Sequence, residues 1–490
     1  MNAVSALSKL LPSPKSLARV VASAALLAPI ARADAPWNPL TEQAVNEKGI
    51  CAALAESSPV REYYDLTCQK GRGEYLGRND YRCTPKGELV DFEKQCNDQP
   101  VLACGFVAAA AKGAAPAGLS RMFEGLLLSH DRALTAKVIH LPKANQYIAG
   151  SCLEEENYRY TKALDGLGVV GTPEQGKVVM ALIDSPEKLA DIGAEERLQI
   201  VRALWGMGAK EQTAAAMSLL DMAHIQRYPG REFREMLLMA MAEWGAADAE
   251  ALCEQNLRDI KDEADLGACM LYLARRGKQD AVKSMIRQVE RARDPGLQAI
   301  GILGGKDALA FLTGLRDQEG EGPAYMARDV ALVNAGDKKA WKDVEATLNR
   351  NARPDRQVLA QLGYLSTNPA AAKQAVKFLQ GKAKAWQKEN LEMYGLSVAI
   401  RTQLGDASAI PDVIRLLEGP DESTRVTVGK AIGGDFGNVW SSMPGFGLVA
   451  EKALIPALAE AHSNEANKGH REMFGRALVN VRAAVALRGK

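Results

Sequence analysis

The chain has 490 residues, 47% apolar and 25% charged, a balance that excludes a disordered polymer and supplies more core than one ordinary domain needs. Its 61 basic residues are matched by 60 acidic ones, which excludes the overall positive field behind non-specific nucleic-acid binding, so no nucleic-acid partner is expected. Aromatic residues make up only 6%, which argues against a β-sandwich or propeller and for packed helices.

Residues 1–33 read as a signal peptide. Lys9, Lys15, Arg19 and Arg32 stand there without an acid, Val20 to Ala31 is apolar, and Ala31-Arg32-Ala33 offers small residues for cleavage after Ala33. The apolar run falls short of the roughly 20 residues that span a bilayer, and no later run reaches that length. The expectation is a soluble exported protein, periplasmic or extracellular, without a transmembrane segment. Loss of the four basic residues leaves the remainder with a net charge of about −3.

All eight cysteines follow that site: Cys51, Cys68, Cys83, Cys96, Cys104, Cys152, Cys253 and Cys269. An even number in an exported chain implies disulfides, and zinc is disfavoured because no Cys-x-x-Cys pair occurs and no histidine lies between Cys51 and Cys104. Six of the eight fall in residues 34–152, where 15 pairings are open. In that region Thr41 to Ser57 reads as a helix capped by Thr41. Residues 59–98 read as loops held by cross-links, and residues 99–140 return to helix.

From 153 to 437 a long-period pattern emerges. Apolar helices end in glycine at Gly168, Gly208, Gly245, Gly277, Gly305, Gly336, Gly405 and Gly434, with a further copy ending near Ser366, and each is followed by a second helical stretch. Glycine takes the left-handed conformation that stops the first helix and lets the second return antiparallel. Residues 438–490 are expected to supply C-terminal capping helices, after a glycine-rich stretch at 433–447 that is long for a helix connection. Within the pattern, Cys253 and Cys269 each lie eight residues from Lys261, the corner of one such hairpin. They therefore sit at the same height on facing helices, within reach of a disulfide.

The segment 404–433 carries Leu404-Gly405-Asp406 at the helix turn and Ala409-Ile410-Pro411 opening the second helix. Leu416-Leu417 closes that helix, and Asp421 and Arg425 lead into the next. In these features it resembles HEAT-like repeats of the phycobilisome-lyase type. The resemblance implies an all-α fold, an α-solenoid that presents a surface to partners, and it carries no catalytic residues across.

No constellation for chemistry is complete in the sequence. His130, His140, His224, His462 and His470 are isolated from one another and form no His-Glu-x-x-His, and there is no nucleophile elbow or phosphate loop, so no catalytic residue, cofactor or metal set is assigned. Glu154, Glu155 and Glu156 open a helix, where the dipole favours acids for structural reasons. One charge pattern stands out. Lys373, Lys377, Lys384 and Lys388 fall within roughly a 60° arc of one helix. Lys338, Lys339 and Lys342 belong to the preceding repeat, and Trp341 and Trp386 are expected at the edge of the combined basic surface. Such a surface suits an acidic protein segment or an anionic envelope polymer. The expected function is a non-catalytic scaffold. The alternative is an envelope-polymer-processing enzyme, cleaving glycosides or peptides, with carboxylates assembled from distant helices.

Overall fold

The computed structural model describes residues 47–56, 92–98, 104–107, 118–128, 156–184, 192–220, 229–259, 263–350, 356–433, 449–465 and 467–488. Among them there are 22 α-helices, several short 3-10 segments and no strand. The first three are α1 (Ile50–Ala55), α2 (Phe92–Asp98) and α3 (Gly118–Leu128). The helix expected over 41–57 is interrupted: Gly49 has φ 84°, a left-handed conformation that an α-helix does not accommodate, and α1 begins after it. Cys51 of α1 is bonded to Cys96 of α2, and Cys104 is also in a disulfide. Residues 1–33, Cys68, Cys83, Cys152 and most of the glycine-rich stretch lie outside the described residues.

The remaining helices follow in close succession. They are α4 (Glu156–Val170), α5 (Gly176–Ala181), α6 (Ala194–Met207), α7 (Thr213–Ala216), α8 (Pro229–Glu243), α9 (Glu250–Asp259) and α10 (Glu263–Arg275). Next come α11 (Val282–Gln288), α12 (Arg293–Leu303), α13 (Gly305–Gln318), α14 (Met326–Asn334), α15 (Ala340–Asn349) and α16 (Arg356–Ala360). The chain ends with α17 (Pro369–Glu389), α18 (Leu391–Gln403), α19 (Ile410–Leu417), α20 (Glu422–Ile432), α21 (Leu454–Asn464) and α22 (Lys468–Arg488).

The same helix stop recurs five times. At Gly208, Gly245, Gly277, Gly336 and Gly405 the glycine has positive φ, its N–H is given to the carbonyl three residues back, and the next N–H reaches the carbonyl five residues back. This is the Schellman closure, and it needs a residue that tolerates the left-handed conformation. After two of these stops the next residue is an aspartate that caps the following turn. Asp337 accepts the N–H of Lys339 at 2.7 Å, and Asp406 that of Ser408 at 3.1 Å. Burial alone would raise the Asp406 carboxyl, but hydrogen bonds from Ser408, Arg401 and Gln380 hold it below the usual carboxylate range.

Two of the expected stops are corrected. Gly168 lies inside α4, which runs on to Val170; the close approach of α4 to α6 falls instead on Gly206, where a Cβ would come within 2.1 Å of the Gly168 carbonyl oxygen. At the fifth position Gly304, not Gly305, caps α12, and Gly305 already begins α13. Gly434 is outside the described residues.

Packing separates the helices into an inner row and an outer layer. Each of α6, α8, α10, α12 and α14 packs on the next; α14 then meets the 3-10 segment Gln361–Thr367, which packs on α18, and α18, α20 and α22 continue the row. The last member, α22, also packs on α6 and α4, so the row returns on itself. Polar contacts close that return. The Trp205 Nε1–H donates to Asn480 Oδ1 at 2.9 Å, the Asn480 amide donates to the Gly433 carbonyl at 2.6 Å, and Arg488 pairs with Glu243 at 2.5 Å. Between neighbours of the row, side-chain amides donate to main-chain carbonyls, as Gln298 does to Ala327 at 3.0 Å, Asn334 to Tyr364 at 3.1 Å, and Gln403 to Ala431. The amide nitrogens are thereby satisfied, while the oxygens of the same three side chains are buried without a hydrogen-bond partner. The outer helices α9, α11, α13, α15, α17, α19 and α21 cover the row, and α9 is bonded to α10 through Cys253 and Cys269, both fully buried, with Cα atoms 4.9 Å apart.

Candidate functional site

Two surface regions concentrate chemistry. The first is the basic face of the outer layer. Asn368 caps α17 by accepting the N–H of Ala371, Pro369 fits the first turn, and only Ala371, Ala372, Ala375, Leu379 and Trp386 of the helix are buried. That single apolar stripe turns Lys373, Lys377, Lys384 and Lys388 to solvent. Lys338, Lys339 and Lys342, at the start of α15, lie outside the core as well. The neighbouring acids Asp337 and Asp343 lie 2.8 and 4.0 Å from Arg316, while Glu345 of α15 and Glu389 of α17 are exposed and dilute the basic face.

The tryptophans are a correction. Trp341 and Trp386 are each only 5% exposed and belong to the core under the outer helices. Trp341 meets Phe378 of α17 edge-on, with ring centroids 6.3 Å apart, and the Lys382 ammonium sits 5.7 Å from the centre of the Phe378 ring. The Trp341 indole fixes α15 against α17 and so holds the two lysine groups on adjoining helices, while neither indole offers a partner an aromatic surface. Their spacing from the lysines is legible in the sequence, but the same spacing also places them on the apolar stripe, where a large ring contributes more by burial.

The second region is the corner where α20 starts and α21 gives way to α22. Asp421 caps α20 by accepting the N–H of Thr424 at 2.8 Å, which puts Glu422 at the first helical position. Glu465 ends α21 in an extended conformation; one oxygen of its carboxylate accepts the N–H of Asn467 at 2.9 Å, and its carbonyl is held by the Arg471 guanidinium at 2.6 and 2.9 Å. Asn467 in turn accepts the N–H groups of Gly469 and His470 at 2.9 and 3.3 Å and starts α22. Ligand atoms of Glu422, Glu465 and His470 consequently lie within 4.8 Å of one another. Beside them is a cavity of about 250 Å3 lined by Leu417, Glu418, Gly419, Arg425, Glu460 and Glu465, among others. His470, isolated in the sequence, is therefore flanked by two carboxylates. Glu422 and Glu465 belong to different helix ends far apart in the chain, so no local spacing announces the cluster.

Among the described residues no helix is long and apolar enough to cross a membrane. No protein-family model matches the chain, and no curated protein does either. The likeness of 404–433 to a HEAT-like repeat thus rests on that segment's own residues, whose roles are visible: Gly405 ends α18, Asp406 caps the turn and pairs with Arg401 at 2.7 Å, and Arg425 donates to the Gly419 carbonyl at 2.8 Å.

Proposed function

We propose that this chain is an exported, non-catalytic scaffold of HEAT-like helix pairs whose lysine face takes an acidic segment of an envelope protein. The observation that carries the reading is the set Lys373, Lys377, Lys384 and Lys388, turned to solvent along one helix and joined by Lys338, Lys339 and Lys342 on the next, while the nearest aspartates are engaged by Arg316. An excess of charge of one sign on rigid elements, here seven lysines against the exposed Glu345 and Glu389, attracts an oppositely charged partner and orients it. The disulfides Cys51–Cys96 and Cys253–Cys269 suit an oxidising compartment, in keeping with export. The test is crosslinking and pull-down of the protein from its native envelope at low salt, beside a variant carrying Lys373→Glu, Lys377→Glu and Lys384→Glu. Capture of an acidic protein that weakens with salt and is lost in the variant is expected. Equal capture by both forms, or capture of a non-protein anionic polymer alone, rejects the reading.

A further inference from the structure

The corner of Glu422, Glu465 and His470 has the composition of a metal site, with one of its three candidate ligands deeply buried. Glu465 is 7% exposed, and its Oε2 has no hydrogen-bond donor although it is removed from water. An ionised carboxylate oxygen left so is costly unless a cation reaches it. The nearest fixed cation is Arg425, whose Nη2 is 3.9 Å away, too far for a hydrogen bond, while its Nη1–H is directed at the Gly419 carbonyl. His470 Nδ1 lies 3.1 Å from Glu422 Oε1, within ion-pair distance, yet no hydrogen bond joins them and the buried Nδ1 has no other hydrogen-bond partner. Two ligand-type atoms this close but not aligned donor to acceptor are placed as they would be around a shared ion.

We propose that Glu422, Glu465 and His470 bind one divalent transition-metal ion of the zinc class, tying the start of α20 to the junction of α21 and α22. One imidazole nitrogen and two carboxylate oxygens are a donor set that zinc accepts, with water completing a fourth position. Imidazole favours such ions over magnesium and calcium, which prefer all-oxygen surroundings. Around a tetrahedral ion with bonds near 2 Å the ligand atoms stand roughly 3.3 Å apart. The observed 4.8 Å envelope therefore has to tighten by about 1.5 Å at most, a movement open to Glu422, whose side chain is 57% exposed. The partners behind the ligands are already in place: Asn467 N–H on the Glu465 carboxylate and Asn467 Oδ1 on the main chain of His470 orient two of the three. Because the ion would join three helix ends and bind only the folded chain, it would raise the stability of the C-terminal end of the inner row. This inference is independent of the lysine face.

The experiment uses the full chain, stripped with chelator and exchanged into metal-free buffer at neutral pH. It is titrated with zinc chloride by calorimetry and followed by thermal unfolding, with magnesium and calcium chlorides as comparators. The expected result is one zinc per chain, a rise in unfolding temperature with zinc alone, and at least about a tenfold loss of zinc affinity in His470→Ala and in Glu422→Gln. Glu422 is exposed, so its amide variant keeps the test open if His470→Ala folds poorly. Absence of stoichiometric zinc binding, or zinc affinity unchanged in either variant that folds, overturns the site.

Discussion

The inner row and the outer layer are made of the same units, helix and turn, but they bury differently. In α10 every residue from Asp265 to Ala274 is buried, and in α18 every residue from Met393 to Gln403, whereas α17 buries five of 21. An inner helix touches neighbours on both sides and a covering helix behind, so a polar group it carries is costly without a fixed partner and its glycines mark close approaches. An outer helix has one apolar stripe, and the rest of its surface is free to vary. The same substitution should therefore have different consequences in the two layers.

The largest effect is expected at Arg328 and Asp329 of α14. Both are fully buried; the guanidinium donates to Asp329 Oδ1 at 2.6 and 2.8 Å, to Glu319 at 3.2 Å and to the Gly320 carbonyl at 3.1 Å. Removing one partner of such a pair leaves a buried charge short of compensation. Asp329→Ala should cost about 3–5 kcal/mol in urea unfolding at neutral pH. Asp329→Asn, whose amide oxygen still accepts from Arg328, should cost less than half of that. Burial pushes the Asp329 carboxyl up to about 6, against the pull of Arg328. Between the ordinary aspartate value and about 6 the folded chain holds a proton that the unfolded chain has released. This group's contribution to stability is therefore full below the ordinary value and lost as pH rises through 6. A stability profile of Asp329→Asn with the same slope as the wild type over that window would show that the carboxyl is not the group responsible.

The disulfide joining α9 to α10 comes next, because it staples the outer layer to the inner row. Its cysteines are 16 residues apart in sequence, and in the chain-entropy picture a loop of that size contributes about 3 kcal/mol. Cys253→Ala with Cys269→Ala should lose about that much in equilibrium unfolding, whereas the wild type in reductant should lose it only after unfolding exposes the buried bond. A loss under about 1 kcal/mol would mean that the surrounding packing alone holds the hairpin.

What can be read from the sequence follows the same division between layers. Helix content and the five glycine stops are legible because both are local: a positive-φ closure favours glycine wherever it occurs. Gly168 resembles a stop in the sequence because it closes an apolar run as the true stops do, yet α4 carries it through to Val170, and the residues around it do not say which. The return of α22 onto α6 leaves no local mark either, since Trp205 and Asn480 meet across 275 residues. The lysine stripe of α17 is legible as a solvent-facing surface, and the same advance of about 100° per residue puts Trp386 on the opposite face of that helix, with the buried Ala375 and Leu379. The corner of Glu422, Glu465 and His470 is invisible for the reason that hides most tertiary sites: its members are ordinary helix-end residues until three termini converge.

One substitution made in each layer sharpens the contrast. A Cβ at Gly301 of α12 would lie 2.5 Å from the Ala331 carbonyl oxygen and 2.6 Å from its Cα, so backbone would have to move. Gly301→Ala should destabilise by about 2–3 kcal/mol, in the range of core overpacking. Gly381 of α17 has open space around the same position. Gly381→Ala should stabilise by roughly 0.5–1 kcal/mol through the reduced freedom of the unfolded chain. Thermal unfolding of the two variants should move in opposite directions, and movement in the same direction would break the assignment of one helix to its layer.

The smallest effect on stability is expected where the proposed function places the largest effect on binding. Lys373, Lys377 and Lys384 lie on the solvent side of α17, and their ammonium groups take part in no ion pair among the described residues. Lys373 and Lys377 are four residues apart, as are Lys384 and Lys388, and like charges at that spacing cost a helix a few tenths of a kcal/mol per pair. In the variant with Lys373→Glu, Lys377→Glu and Lys384→Glu, the first pair remains a like-charge pair of opposite sign. The second becomes a carboxylate four residues before Lys388, which is the favourable order along a helix. The net change should lie within about 0.5 kcal/mol of zero, as for exposed substitutions generally. Chemical unfolding of the variant at low and at high salt measures this directly. A loss above about 1.5 kcal/mol at either ionic strength would place these lysines in structural contacts, and a loss of partner capture could then no longer be assigned to the charge of the face.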